Sequence, residues 1–259
     1  IEEANRLDLQ IAMHASDGFA VAGGPWIEPK QSMQKVVWTD TIIEGGDKIE
    51  LQLSQPEAHE GYYEEIVTFA IPQKQEEITS AQLQPEVTST LEDLDASFLT
   101  DPAKEDEFKL YEKGWVQYEF DEPFLCKSLT IESKGVNYQA HRLRILVSED
   151  GENFTNLGRL TPPRHGWQDY GIPYTHAIEP VKAKYFRFEY DPEGTEPGAE
   201  DLDAAKWKQS LKVSRIVLSN EPKIDNYQGK SGLVWRISPE TEQIQGEDFI
   251  EREEMINIS

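Results

Sequence analysis

Apolar and polar residues alternate with a period of two along most of the chain, which predicts a protein built mainly from β-strands. The opening residues differ, because 1–7 follow a helical pattern and 9–13 form an apolar run of the kind found in parallel sheets. A glycine-rich loop over 18–24 follows, whose backbone can approach a ligand closely. We expect residues 1–29 to pack poorly by themselves, or to lean on a neighbouring structure.

Short segments bounded by turn residues fill the rest of the chain, and they predict an antiparallel β-sandwich. We expect Asp121-Glu-Pro123 to turn the chain and residues 73–110 to form a polar loop with one short strand. A tight turn is predicted at Gly151. The predicted strands are 36–43 and 49–53, forming a hairpin at Gly45-Gly46, then 62–71, 115–120, 125–131, 143–148, 156–160, 185–190, 213–219 and 230–237.

Alternation within these strands predicts that Trp115 and Cys126 point into the core. Cys126 is the one cysteine of the chain, so no intrachain disulfide can form. Its apolar neighbours favour a small buried hydrophobic side chain over a catalytic thiol, since nothing nearby would lower its pKa.

The chain carries 49 acidic and 25 basic residues, for a net charge of −24. Such a charge repels phosphate backbones and anionic lipids, which argues against nucleic acid and membrane surfaces as partners. Neutral sugars and cations such as calcium remain compatible, and the acidity also serves solubility. We find no zinc-ligand spacing, no dinucleotide fingerprint and no apolar run long enough to cross a membrane.

Three motifs in correct order resemble the discoidin modules, which have a galactose-binding-like jelly roll. They are Trp115-Val-Gln-Tyr-Glu-Phe120, Val147-Ser-Glu-Asp-Gly-Glu-Asn-Phe154 and Val181-Lys-Ala-Lys-Tyr-Phe-Arg-Phe188. The resemblance implies a β-sandwich of that type over this part of the chain.

The flanking motifs resemble glycoside hydrolase family 106, whose activity is α-L-rhamnosidase. They are Leu9-Gln-Ile-Ala-Met-His14, Gly23-Gly-Pro-Trp-Ile27, Ser32-Met-Gln-Lys-Val-Val-Trp38, Gly61-Tyr-Tyr63 and Asn226-Tyr-Gln-Gly-Lys-Ser-Gly232. In that family a (β/α)8 catalytic barrel carries an inserted β-sandwich. The resemblance implies a barrel fragment at 1–35, the inserted sandwich at 36–220 and a return segment towards the barrel at 221–259.

This resemblance also implies that the chain is part of a bacterial, periplasmic or extracellular enzyme that degrades polysaccharides. The partners would be carbohydrate and the rest of the catalytic barrel. The catalytic glutamates of the family, and its calcium, come from barrel segments that have no counterpart here. Glycoside hydrolysis needs a pair of carboxylates. A fraction of a barrel cannot close or hold such a pair, so we expect the isolated chain to be inert.

Candidate substrate-binding residues in the barrel fragment are His14, Asp17 and Trp26, because loops after barrel strands build active sites. His14 could equally be a core histidine, and Trp26 more readily packs its loop than stacks on a sugar. Asp93 and Asp95 are candidate ligands of a structural calcium ion, although a solvated loop is the favoured explanation of both.

A loop inside the predicted sandwich combines stacking rings with polar side chains, the composition of sugar sites. Its candidate residues are Arg164, His165, Trp167, Asp169 and Tyr170. Three functions therefore remain open. The chain could be an inert part of a glycoside hydrolase, a carbohydrate-binding module that works without catalysis, or a structural spacer that braces the barrel.

Overall fold

The computed structural model describes residues 2–12, 24–135, 137–163, 171–193, 209–234 and 250–259. The chain divides into two units, 1–66 and 67–259. The mostly-β architecture predicted from the alternation is confirmed, and all assigned strands lie in the second unit.

The first unit contains helix α1 at Glu2–Arg6, where the helical pattern predicts it, and two short 3₁₀ turns at Pro29–Gln31 and His59–Gly61. The predicted strand at 9–13 is wrong in its described part, because 9–12 form no strand. The predicted strands 36–43 and 49–53 are also wrong. A strand is defined by hydrogen bonds to a neighbour, and an isolated pair of extended segments has too little support to form a ladder.

Among the described residues, the regular elements of the second unit are two short α-helices, three 3₁₀ turns and ten strands. The helical segments are α2 at Ser80–Leu83, α3 at Tyr227–Lys230 and 3₁₀ turns at Ala96–Leu99, Tyr138–His141 and Arg252–Glu254. The strands are β1 at Phe69–Ala70, β2 at Glu86–Ser89, β3 at Phe108–Leu110, β4 at Gly114–Glu132, β5 at Arg144–Ser148, β6 at Thr155–Arg159, β7 at Tyr174–Tyr190, β8 at Leu211–Val213, β9 at Arg215–Ser219 and β10 at Ile256–Asn257.

The main sheet is antiparallel with the strand order β2-β4-β7-β5-β6, and β9 pairs with the second half of β4. The pairing of the two long strands β4 and β7 shifts register between Glu119 and Phe124. The sandwich has two halves, one on each side of this shift, and both strands contribute to each half. Across the core, Tyr118 Oη of the first half donates a hydrogen bond to the Ile216 carbonyl of β9 at 3.0 Å. The two halves therefore face each other over one apolar core.

The core is rich in rings. Phe120 and Phe124 stack at 4.7 Å between centroids where the strand β4 shifts register, and Phe186 meets the Phe120 ring edge-on at 5.8 Å. Cys126 is fully buried, as predicted, and burial raises the pKa of its thiol to about 12. Such a thiol is inert towards electrophiles.

Four local predictions differ from the structure. Residues 121–123 do not turn the chain, because β4 continues through them with a register shift that accommodates Pro123, which has no N–H to donate. Of the predicted strand 62–71 only Phe69–Ala70 forms, and of 230–237 the described residues 230–234 contain no strand. In 73–110 the structure has two short strands, β2 and β3, and the helix α2, where one strand was expected.

Trp115 does not point into the core. Val116 and Tyr118 are the buried residues of that part of β4, so Trp115 lies on the opposite, outer face with Gln117. Alternation separates two faces correctly, but it does not say which face is covered.

The ends of the second unit lie side by side. Phe69 pairs with Asn257 and Ala70 with Ile256, and Ile258 N donates to the Thr68 carbonyl at 3.0 Å. An ion pair between Lys74 Nζ and Glu254 at 3.1 Å lies next to this ladder. The polypeptide therefore enters and leaves the sandwich at the same place.

No helix among the described residues is long and apolar enough to cross a membrane.

Candidate functional site

Most of the sequence-predicted site lies outside the described residues. This holds for His14 and Asp17 and for all five residues of the predicted sugar loop, Arg164, His165, Trp167, Asp169 and Tyr170. Trp26 is described, and its side chain is 74% exposed. Its ring lies over Gly24, where a methyl group would come within 2.4 Å of the indole. Trp26 thus lies against the backbone of its own loop.

Asp95 is engaged by the protein itself. Its Oδ1 accepts a hydrogen bond from Ser97 N at 3.0 Å, and its Oδ2 lies 3.2 Å from Lys104 Nζ. Hydrogen bonds from Ser97, together with this ammonium group, lower the pKa of Asp95 to about 2. Because Lys104 already neutralises the carboxylate, the arrangement disfavours calcium at Asp95, and we derive no role for the ion there.

A buried polar cluster lies where β7 begins, three residues after the predicted sugar loop. His141 Nδ1 and His176 Nε2 are 3.0 Å apart, and both side chains are almost completely buried. The Tyr174 ring meets His141 edge-on at 5.1 Å. Burial lowers the pKa of His176 to about 4, against the opposing effect of Asp225. His176 is therefore neutral near pH 7, and the tautomers decide which of the two facing ring nitrogens carries the shared proton.

Residues 225–228, in the segment after β9, form hydrogen bonds that stabilise this cluster. Gln228 makes two hydrogen bonds with Thr175, accepting from its backbone N at 3.2 Å and donating to its Oγ1 at 3.1 Å. Asp225 Oδ1 accepts from Ala177 N at 3.0 Å, and Asn226 N donates to the Thr175 carbonyl at 2.8 Å. These bonds hold the beginning of β7 in place.

A second polar and aromatic cluster lies on the outer face of the main sheet. The Arg187 guanidinium carbon is 3.9 Å from the Phe154 ring centroid and 4.6 Å from that of Trp115. Two nitrogens of the same guanidinium donate to Gln117 Oε1, at 2.9 and 2.7 Å. Planar stacking with two donated bonds is an arrangement that lysine could not reproduce.

The turn between β5 and β6 covers the neighbouring part of this face. Asp150 Oδ1 accepts hydrogen bonds from the backbone N of Glu152 and Asn153 at 2.9 and 2.8 Å, which hold the pKa of Asp150 well below its usual range. Gly151 has a φ of +76° and lies against the Tyr185 ring. The three discoidin-like motifs thus meet at one place, where they stabilise the sheet.

The sequence-based argument missed the histidine pair and the stacked arginine. His141 and His176 stand in ordinary alternating or polar surroundings, 35 positions apart. The one feature of the sequence that could have pointed to these histidines is their position on either side of the predicted sugar loop. Among the described residues no group of three His, Cys, Asp or Glu side chains could hold a metal ion. The described arrangement stabilises the beginning of β7.

Two comparisons concern the chain as a whole. The family model described as alpha-L-rhamnosidase, glycoside hydrolase family 106, matches residues 1–259. The structure of a rhamnosidase from Novosphingobium sp. PP1Y is similar over 99% of this chain and 24% of that chain, with 20% identity and a TM-score of 0.58. The chain thus shares the fold of about a quarter of that enzyme.

Two further comparisons cover parts of the chain. A curated protein of Formosa agariphila, whose name gives β-glucuronidase as a provisional activity, is 36% identical over 98 residues, which are 38% of this chain and 8% of that protein. A carbohydrate-binding module of Clostridium perfringens, solved with GalNAc-β-1,3-galactose, covers 54% of this chain and 99% of that chain with 17% identity and a TM-score of 0.39. The chain therefore spans a small share of the curated protein that it matches.

Proposed function

The chain belongs to glycoside hydrolase family 106, the α-L-rhamnosidases, and we propose that it is one part of a larger polysaccharide-degrading enzyme of this kind. The observation that carries the proposal is the family match over residues 1–259, combined with the 24% share of the solved rhamnosidase that the chain covers. The remaining three quarters of such an enzyme would supply the catalytic carboxylates. We place it outside the cytoplasm, because polysaccharides are too large to be taken up intact.

In this proposal the β-sandwich is an accessory domain inserted into the catalytic barrel. Residues 1–35 would belong to the barrel, 36–220 to the insertion and 221–259 to the return segment. The pairing of β1 with β10 supports an insertion whose ends lie near residues 69 and 257, because a domain can be inserted into another fold when its two ends lie close together. The sandwich itself would act first as a spacer that braces the barrel.

The test is hydrolysis of an aryl α-L-rhamnoside, measured side by side for this chain and for the complete parent protein. We expect turnover by the parent and none by the chain alone, because a partial barrel cannot hold two carboxylates at the separation that glycoside hydrolysis needs. Turnover by the chain alone would refute its inertness. A parent that is inactive on α-L-rhamnosides would refute the proposed activity.

The second candidate function is sugar binding by the loop residues Arg164, His165, Trp167, Asp169 and Tyr170. It is favoured by the composition of the loop, which combines stacking rings with polar side chains as sugar sites do. Glycan-array binding by the chain should then disappear in Trp167→Ala. It should persist in Tyr111→Ala, which removes an exposed ring elsewhere. If the chain binds no glycan, the sugar-binding function is refuted and the spacer role of the sandwich remains.

A further inference from the structure

Residues 36–54, which we name the arm, combine two properties that rarely occur together in a free surface. Their apolar side chains are exposed, and in the second half they occupy alternate positions. Ile49, Leu51 and Leu53 lie on one side of the second half of the arm and are each about half exposed. In the first half Ile42 is 72% exposed and Val36 about half exposed. Alternation of this kind is typical of a strand with one covered face.

The arm is already folded back on itself. Thr39 Oγ1 donates a hydrogen bond to the Ser54 carbonyl at 2.6 Å, across 15 residues, and Gly46 at the bend has a φ of +115°. Yet residues 24–68 contain no assigned strand. The arm is therefore shaped like a hairpin, and it lacks a ladder and a covered apolar face.

From these features we propose that the arm docks on a strand edge in the part of the parent enzyme outside residues 1–259 and outside its closed catalytic barrel, adding strands to that edge through its backbone and burying its apolar face. This inference rests on the proposed function, because the partner is the part of the enzyme beyond residues 1–259. The chain covers 24% of the solved rhamnosidase, so about three quarters of such an enzyme are available to cover the arm. Contiguous exposed apolar surface of this kind marks an interaction site.

Charge restricts the partner further. The arm carries the four carboxylates Asp40, Glu44, Asp47 and Glu50 against the single ammonium of Lys48. The whole chain has a net charge of −24, which opposes pairing between two copies. The partner edge is therefore apolar on the face that it covers, and neutral or basic at its rim.

Hydrogen–deuterium exchange of the arm in the chain alone and in the complete parent protein tests the proposal. We expect fast exchange in the chain alone and exchange slower by about tenfold or more in the parent, equivalent to about 1.4 kcal/mol of protection. In the parent, Leu51→Lys should restore fast exchange because it places a charge on the covered face. The matched control Gln52→Lys, on the other face, should leave the protection unchanged.

Equal exchange rates in the chain and the parent would overturn the proposal. So would protection that grows with the concentration of the chain alone, which would assign the arm to a second copy. Rhamnoside hydrolysis is measured on the same parent preparation. If the arm is protected in a parent protein that does not hydrolyse α-L-rhamnosides, the docking proposal stands and the proposed activity is refuted. If the arm exchanges fast in a parent that does hydrolyse them, the activity stands and the docking proposal is refuted.

Discussion

His141 Nδ1 lies 3.0 Å from His176 Nε2, and this contact links the 3₁₀ turn Tyr138–His141 to the beginning of β7. Both imidazoles are buried, and the pKa of His176 is lowered from 6.5 to about 4. The folded protein therefore takes up the proton of His176 only at a much lower pH than the unfolded chain does. Stability is linked to pH through this difference.

We predict that the contribution of His176 to stability is complete above pH 6.5 and declines as the pH falls to about 4. The sign follows because the unfolded chain binds more protons throughout that window. The loss is on the order of 3 kcal/mol at most. The measurement is urea unfolding at several pH values for the wild type and for His176→Gln, in which the titrating group is absent. A difference in unfolding free energy between the two that does not vary with pH would contradict the prediction.

Arg187→Lys tests the stacked guanidinium. Lysine keeps the charge but loses the planar contact with Trp115 and Phe154 and the paired bonds to Gln117. We expect a loss of about 1–2 kcal/mol in unfolding free energy. Arg144→Lys, on the neighbouring strand β5, is the matched control, and it should change stability little. Equal effects of the two substitutions would show that stacking contributes nothing.

Gly151→Ala should destabilise the protein by about 1–2 kcal/mol, because the residue has a positive φ and the added methyl group meets the Tyr185 ring at 3.1 Å. Gly45→Ala is the control, since no atom lies within 4 Å of its methyl position. Thermal unfolding of both variants provides the comparison. An unchanged melting temperature in Gly151→Ala would show that the turn does not need a left-handed residue.

The Cys126 thiol should not react with Ellman's reagent at pH 8 until the protein unfolds. Its pKa is raised to about 12 by burial, and the side chain has no exposed surface. Titration with the reagent, with and without denaturant, measures this. Ser32→Cys in a Cys126→Ser background supplies an exposed thiol as the control, which should react at once. Rapid reaction of native Cys126 would mean that the core of the sandwich opens readily.

Much of the sandwich follows from local pattern. The strands β5 and β6 and the second half of β7 lie close to where alternation predicts them, and the turn at Gly151 has the predicted positive φ. Candidate site residues were harder to find, because the histidine pair joins positions 35 residues apart and has no local signal. The stacked Arg187 likewise unites three strands or turns that only folding brings together.

The sequence by itself determined the class of the fold, the position of most strands in the second unit, the burial of Cys126 and, through its motifs, the family. Each depends on residues close along the chain, where side-chain periodicity and turn chemistry act directly. Tertiary structure alone decided that Trp115 faces outwards, that β4 continues through Pro123, and that residues 36–54 form no ladder. These outcomes depend on which strands become neighbours and which face they cover, and that is settled by contacts distant in sequence.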